Sequence, residues 1–190
     1  MKLKVVYVIG QLSIGGSEKY IVNLVSGLNK NKFDMQVVCL SSKLELQPAL
    51  INVGCKVHVI HPRHFRRLRT IIFLHRLLKH INPNIIHAVG RSWYYAILAS
   101  IGINSKIVVS SQSIPEWKRW FHKISDKLLL RKVSLFLANA NQVKKATWDG
   151  IGMPPDKCSV IYTGLDFDSF DREFKKEILK PIPLSISKTG

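Results

Sequence analysis

The chain has 190 residues, is 46% hydrophobic and 22% charged, and carries 29 Lys and Arg against 12 Asp and Glu, for a formal net charge of +17. A chain of this length holds one domain with a core and not two, and one this apolar is not disordered. No apolar run nears the ~20 residues of a bilayer-spanning helix; Ile71-Ile72-Phe73-Leu74 is broken at once by His75 and Arg76.

The first apolar run, a strand expected over 4–9, follows Met1-Lys2-Leu3-Lys4. It stops at Gly10-Gln11 with no small-residue cleavage site after it. It reads as a buried strand and not a leader peptide, and the protein is expected in the cytoplasm. Residues 10–16 form a glycine loop ahead of a helix expected over 17–28, which opens Ser17-Glu18-Lys19. Gly15 and Gly16 sit where loop turns into helix. Glycines there let a backbone come close to an anion, and the helix start offers free N–H groups and a partial positive charge. The loop meets no dinucleotide fingerprint. Its spacing from Gly10 to Gly15 approaches a P-loop, but Gly16 stands where that motif has lysine. Two readings stay open: a phosphate cradle, or a tight turn in which Glu18 only complements the helix dipole.

Strands expected over 35–40 and 56–60 flank a helix expected over 44–52. The helix expected over 65–81 is amphipathic. Leu68, Ile71, Ile72, Leu74, Leu77, Leu78 and Ile81 are assigned to its core face. Arg69, Phe73, Arg76 and His80 are assigned to the other face, with Arg66 and Arg67 at its start. An aromatic among cations on an outward face suits a bilayer interface, and a partly buried Phe73 is the plainer alternative. A strand over 85–88 leads to Gly90-Arg91. Arg91 is a candidate for pairing with a phosphate, or a plain surface arginine.

A helix over 92–101 and a strand over 107–110 bring the chain to Ser111-Gln112-Ser113. The next helix, over 117–132, opens Trp117-Lys118-Arg119-Trp120-Phe121. Trp interleaved with cations suits a membrane boundary, and the same residues equally make a stripe that packs on a sheet. A strand over 135–138, a helix over 141–150 and a strand over 159–161 follow. The last residues, with Pro181 and Pro183 and little to bury, read as a linker.

Most of these strands are continuous apolar runs, the mark of strands covered on both faces. Strand–helix alternation gives right-handed crossovers. The expected fold is therefore α/β, a Rossmann-like doubly wound parallel sheet. Such sheets bind ligands beyond the carboxyl ends of their strands, so the loops at 10–16, 61–63, 90–91 and 111–116 are the candidate site.

Between Glu45 and Glu116 the chain has no acidic residue, while Lys56, Arg63, Arg66, Arg67, Arg69, Arg76, Lys79, Arg91 and Lys106 fall there. A field of this sign attracts nucleic acid, an anionic bilayer or a phosphorylated substrate. No nucleic-acid recognition motif is present, so nucleic acid is not expected as a partner. Cys39, Cys55 and Cys158 are spaced for neither a disulfide framework nor a zinc site and read as buried free thiols. The histidines between His58 and His87 lack metal-site spacing, and no metal is expected. The first 115 residues hold only Glu18, Asp34 and Glu45, which argues against a self-contained acid–base hydrolase.

The closing segments complete the picture. Asn139-Ala140-Asn141-Gln142-Val143 is followed by Gly152-Met153-Pro154-Pro155-Asp156-Lys157, then by Val160-Ile161-Tyr162-Thr163-Gly164-Leu165-Asp166. Together with Gly15-Gly16-Ser17-Glu18 they resemble the N-terminal domain of a family 4 glycosyltransferase of the GT-B type. The likeness runs from Lys2 to Phe170. Two departures touch turn chemistry: Ala140 stands for a usual Ser and Thr163 for a usual Asn.

The resemblance implies an acceptor-side domain over 1–172 and a linker over 173–190 toward an absent C-terminal donor-binding domain. It implies a retaining transfer from a nucleotide sugar to a lipid-linked or polysaccharide acceptor at the cytoplasmic membrane face, without a metal cofactor. Gly15 and Gly16 would line the donor phosphates; Ser17, Glu18, Arg91, Gln112 and Trp117 would border the cleft. Gln112 takes a place where similar enzymes often carry a His, and it cannot carry a proton. Membrane contact falls to Arg66, Arg67, Arg69, Phe73, Arg76, Lys118, Arg119 and Trp120. The chain alone is expected to be inactive. The alternative is a non-catalytic half-length module that binds a membrane or a partner carrying the donor domain.

Overall fold

A computed structural model describes residues 2–60, 67–112, 127–151 and 154–164. Seven strands form one parallel sheet: β1 (Leu3–Ile9), β2 (Phe33–Cys39), β3 (Lys56–Val59), β4 (Ile85–Val89), β5 (Lys106–Ser111), β6 (Leu135–Ala138) and β7 (Cys158–Val160). Their order across the sheet is β3-β2-β1-β4-β5-β6-β7. The helices are α1 (Gly16–Gly27), α2 (Gln47–Asn52), α3 (Arg67–Ile81), α4 (Trp93–Ala99) and α5 (Asn141–Ile151).

The sheet is covered on both faces because its strands are apolar in both directions. Val5, Tyr7, Ile9, Met35 and Val37 bury one face with Ile21 and Val25 of α1 and Leu50 of α2. Val6, Val8, Val38 and Ile86 bury the other with Leu74 and Leu78 of α3 and Ile97 of α4. The chain steps from β1 outward to β2 and β3, then crosses back to place β4 on the far side of β1. Strand order therefore reverses between β1 and β4. The loops leaving these two strands part there, the place where sheets of this kind hold a ligand crevice.

Three sequence expectations are adjusted. The helix expected over 44–52 begins only at Gln47, since Pro48, having no N–H to donate, belongs in a first turn. The helix expected over 92–101 is a short 3-10 turn, Gly90–Ser92, followed by α4. In α3 the core stripe is narrower than expected. Leu74, Leu78 and Ile81 are buried, but Leu68 is 69% and Ile72 42% exposed. At 3.6 residues per turn Ile72 lies ~160° around the helix from Leu74, so the two cannot share a face. The helix expected over 117–132 lies outside the described residues except for its last part, where 127–130 are helical.

Candidate functional site at the carboxyl edge of the sheet

Gly15 precedes α1 in extended conformation, φ −162° and ψ 168°, and no side chain caps the helix start. The first N–H groups of α1 thus face the loop without a side-chain acceptor. The two glycines differ in why they are glycines. A Cβ on Gly15 would sit 2.5 Å from the Glu18 Oε2, whereas a Cβ on Gly16 would meet nothing within 4 Å. Gly15 is small because the buried Glu18 carboxylate folds against it. Gly16 is exposed, and its Cβ would touch no neighbour among the described residues. Ser17 is half-buried between them and the helix body. The acid in the first turn suits the helix dipole. Beside it Cys39, at the end of β2, has its thiol pushed up, first by burial and further by the Glu18 charge.

Across the crevice, β4 ends in the turn that carries Arg91. Gly90 has φ +59°, a left-handed conformation that glycine adopts without strain. The buried Ser92 hydroxyl donates to the Val8 carbonyl of β1 at 2.6 Å and accepts from the Val89 N–H at 3.2 Å. This clasp ties the turn to the neighbouring strand and leaves Arg91 exposed at the rim. Gln112 follows β5 and is half-buried; its carbonyl accepts from the Asn139 Nδ2 at 3.3 Å. Asn139 Oδ1 is buried and has no hydrogen-bond partner among the described residues. The structure thus sets Gly15, Gly16, Ser17, Glu18, Arg91 and Gln112 on the loops and helix starts that follow β1, β4 and β5 at one sheet edge. Trp117, Lys118, Arg119 and Trp120 lie outside the described residues, as does Arg66.

The sequence reading passed over His87. It stands in β4 with its ring tilted against Tyr7, centroids 5.2 Å apart, and its Nε2 is 3.0 Å from the Ser110 Oγ of β5. Burial lowers its pKa to about 4, so the imidazole is neutral near pH 7. The same burial pushes the Tyr7 phenol up. The available signal was a polar residue inside the apolar run Ile85-Ile86-His87-Ala88. Two other histidines have separate partners: His58 Nε2 meets Gln36 Oε1 at 2.8 Å, and His75 Nδ1 donates to the Ala99 carbonyl at 2.9 Å. Among the described residues no three His, Cys, Asp or Glu side chains gather as metal ligands. All three cysteines are free and buried, as expected.

On α3, Leu68, Ile72 and Phe73 are exposed together with Arg69, Arg76, Lys79 and His80. The outward face is therefore both more apolar and as basic as the sequence pattern suggested. Arg67 opens the helix. No helix among the described residues is long and apolar enough to cross a membrane.

The family model described as Glycosyltransferase Family 4 matches residues 14–169. The chain belongs to glycosyltransferase family 4. No curated protein matches it in sequence. Solved structures share its fold. A glycosyltransferase from Rickettsia africae ESF-5 aligns at a TM-score of 0.74 and 18% identity, over 96% of this chain and 51% of that one. HepE from Anabaena, solved with UDP and glucose, aligns at 0.72 and 17% identity, over 93% and 50%. The UDP-GlcNAc 2-epimerase of Neisseria meningitidis, solved with UDP-GlcNAc, aligns at 0.65 and 17%, over 93% and 51%. This family 4 chain spans about half the length of these structures. Its sheet is the Rossmann-like N-terminal half of a GT-B fold, as the glycine loop and the closing segments led one to expect.

Proposed function

We propose that this domain is the acceptor-side half of a retaining glycosyltransferase. It works with a donor-binding half to move a sugar from a nucleotide sugar to a lipid-linked or polysaccharide acceptor at the cytoplasmic membrane face. The observation that carries the reading is the placement of the exposed Gly16, at the uncapped start of α1, and the exposed Arg91 on the segments that leave the adjacent strands β1 and β4 at one sheet edge. Backbone N–H groups and the helix dipole favour a diphosphate at that point, with no metal required. Arg91 offers a planar, permanently charged fork to a phosphate of donor or acceptor. Gln112 orients an acceptor hydroxyl by hydrogen bonding, since its amide cannot take a proton. A UDP-sugar is the donor to try first, because HepE and the Neisseria epimerase were solved with UDP or a UDP-sugar.

The membrane enters through α3. Leu68, Ile72 and Phe73 among Arg69, Arg76 and Lys79 form an outward face suited to an anionic bilayer surface. The deciding experiment compares residues 1–190 with a protein carrying both halves, supplied with nucleotide sugars and lipid-linked acceptors in vesicles. Transfer by the two-half protein and none by residues 1–190 is expected. Steady transfer by residues 1–190 alone overturns the division of labour. No transfer by the two-half protein, with vesicle binding retained, favours a non-catalytic docking module.

A further inference from the structure

A cavity of about 470 Å³ opens at the opposite end of the sheet from the carboxyl-edge loops, where β1 and β2 begin. Val25 of α1 and Phe33 and Met35 of β2 give it apolar walls, and Cys55 closes the side toward β3. Lys2 and Lys30 line it as exposed side chains, and Asp34 lines it half-buried. Lys4 also lines it, but its ammonium donates to the Ile81 carbonyl at 3.3 Å. Gly54, left-handed at φ +78°, turns the chain at the wall without adding a side chain. Burial pushes the Cys55 thiol up to about 11, and Asp34 and Lys30 act on it with opposite sign. Acid and base thus both line the cavity beside the Cys55 thiol. None of these residues takes part in the transfer proposed above.

We infer that this cavity binds a small hydroxylated phosphate ester, such as a phosphorylated sugar or polyol. Its volume is that of a small-molecule site. Ammonium groups attract the phosphate. Inorganic phosphate offers Asp34 only a P–OH on a group whose charge the carboxylate repels, whereas an ester bearing hydroxyls donates to that carboxylate from its uncharged carbon body. The apolar walls take the C–H face of the carbon body. A neutral sugar accepts only ordinary hydrogen bonds from the two lysines and lacks the charge attraction that a phosphate has. The combination therefore selects for a molecule with both groups.

The test titrates the chain with glucose 6-phosphate, inorganic phosphate and glucose. One readout is calorimetry. The other is the rate of Cys55 alkylation, resolved by peptide mass, which reports on this cavity and not on the carboxyl edge. Glucose 6-phosphate should saturate one site and slow Cys55 alkylation; phosphate should bind more weakly and glucose not at all. Lys30→Ala or Lys2→Ala, both at exposed positions, should weaken the ester roughly tenfold, the size of one charge-assisted contact. Asp34→Asn should narrow the gap between ester and phosphate. Gly16→Ala should leave this binding unchanged, so the outcome is independent of the transfer site. Phosphatidylglycerol vesicles that protect Cys55 better than the soluble ester would assign the same chemistry to a lipid headgroup; protection by the soluble ester alone would assign it to a free metabolite. Failure of all these probes to bind, binding indifferent to both lysine substitutions, or binding without Cys55 protection would overturn the assignment.

Discussion

The Ser92 hydroxyl and the Val8 carbonyl meet at 2.6 Å across 84 residues of sequence. This bond sits where strand order reverses, and it ties the turn that carries Arg91 to β1, the strand that leads into the glycine loop. Ser92 is buried, and its hydroxyl also receives the Val89 N–H. Ser92→Ala leaves a buried carbonyl and a buried N–H without that partner. The expected loss is about 1–3 kcal/mol, the cost of buried polar groups left unmet. Urea unfolding of the variant measures it, and an unchanged midpoint would mean that the turn is held by other contacts.

Gly15 and Gly16 should respond oppositely to alanine. Gly15→Ala makes the Glu18 carboxylate, the far end of a flexible side chain, turn aside and should destabilise by about 0.5–1.5 kcal/mol, the cost of a strained rotamer. Glu18→Ala in the same chain should recover part of that loss, a coupling read from a double-mutant cycle. Gly16→Ala has room and should stay within about 0.5 kcal/mol of the parent, as an exposed substitution does. In the two-half protein it should nonetheless depress transfer and raise KM for the donor, because the added methyl stands on the open face. A Gly16→Ala enzyme with unchanged kinetics would remove the donor phosphates from this loop.

Burial of His87 makes stability depend on pH in a set direction. Its folded pKa is about 4, below the ~6.5 of an exposed histidine. The unfolded chain therefore binds a proton that the folded chain refuses. The contribution is complete above pH ~6.5, shrinks as pH falls toward 4, and levels off below that, a total of roughly 3 kcal/mol. Chemical unfolding at a series of pH values should show this slope. His87→Gln keeps a group able to meet the Ser110 Oγ and should flatten the slope through this window. A slope that persists in His87→Gln would belong to other groups.

The strands were legible because Val5 to Ile9 and Val37 to Cys39 are buried on both sides of the sheet, and continuous apolar runs record that directly. The site loops followed from the parallel order. What escaped the sequence was set by contacts made only on folding. The close approach of the Glu18 carboxylate to Gly15 is one such contact, unmarked by the dihedrals of Gly15 itself. His87 takes its meaning from Ser110, 23 residues on, which only β4–β5 pairing brings near. The α3 stripe was misassigned at Leu68 and Ile72 because hydrophobicity alone counted them as core, whereas Leu74, Leu78 and Ile81 mark the side facing α4 and the sheet.

That misassignment supplies the sharpest test of membrane contact. If Leu68, Ile72 and Phe73 were core residues, replacing them would unfold the domain. They are 69%, 42% and 55% exposed, so Leu68→Ser and Phe73→Ser should leave the unfolding midpoint nearly unchanged. Leu74→Ala, at a fully buried position, should instead cost about 2–5 kcal/mol. Against anionic vesicles the ranking should invert. Loss of Phe73 or Leu68 removes apolar area that enters the interface, and Arg69→Gln or Arg76→Gln should each weaken binding by about 1 kcal/mol, more at low salt than at high. Cosedimentation with vesicles of graded phosphatidylserine content reads both effects. Binding that follows the arginines but ignores Leu68 and Phe73 would reduce α3 to a purely electrostatic contact, and binding indifferent to all four would move the membrane surface elsewhere on the domain.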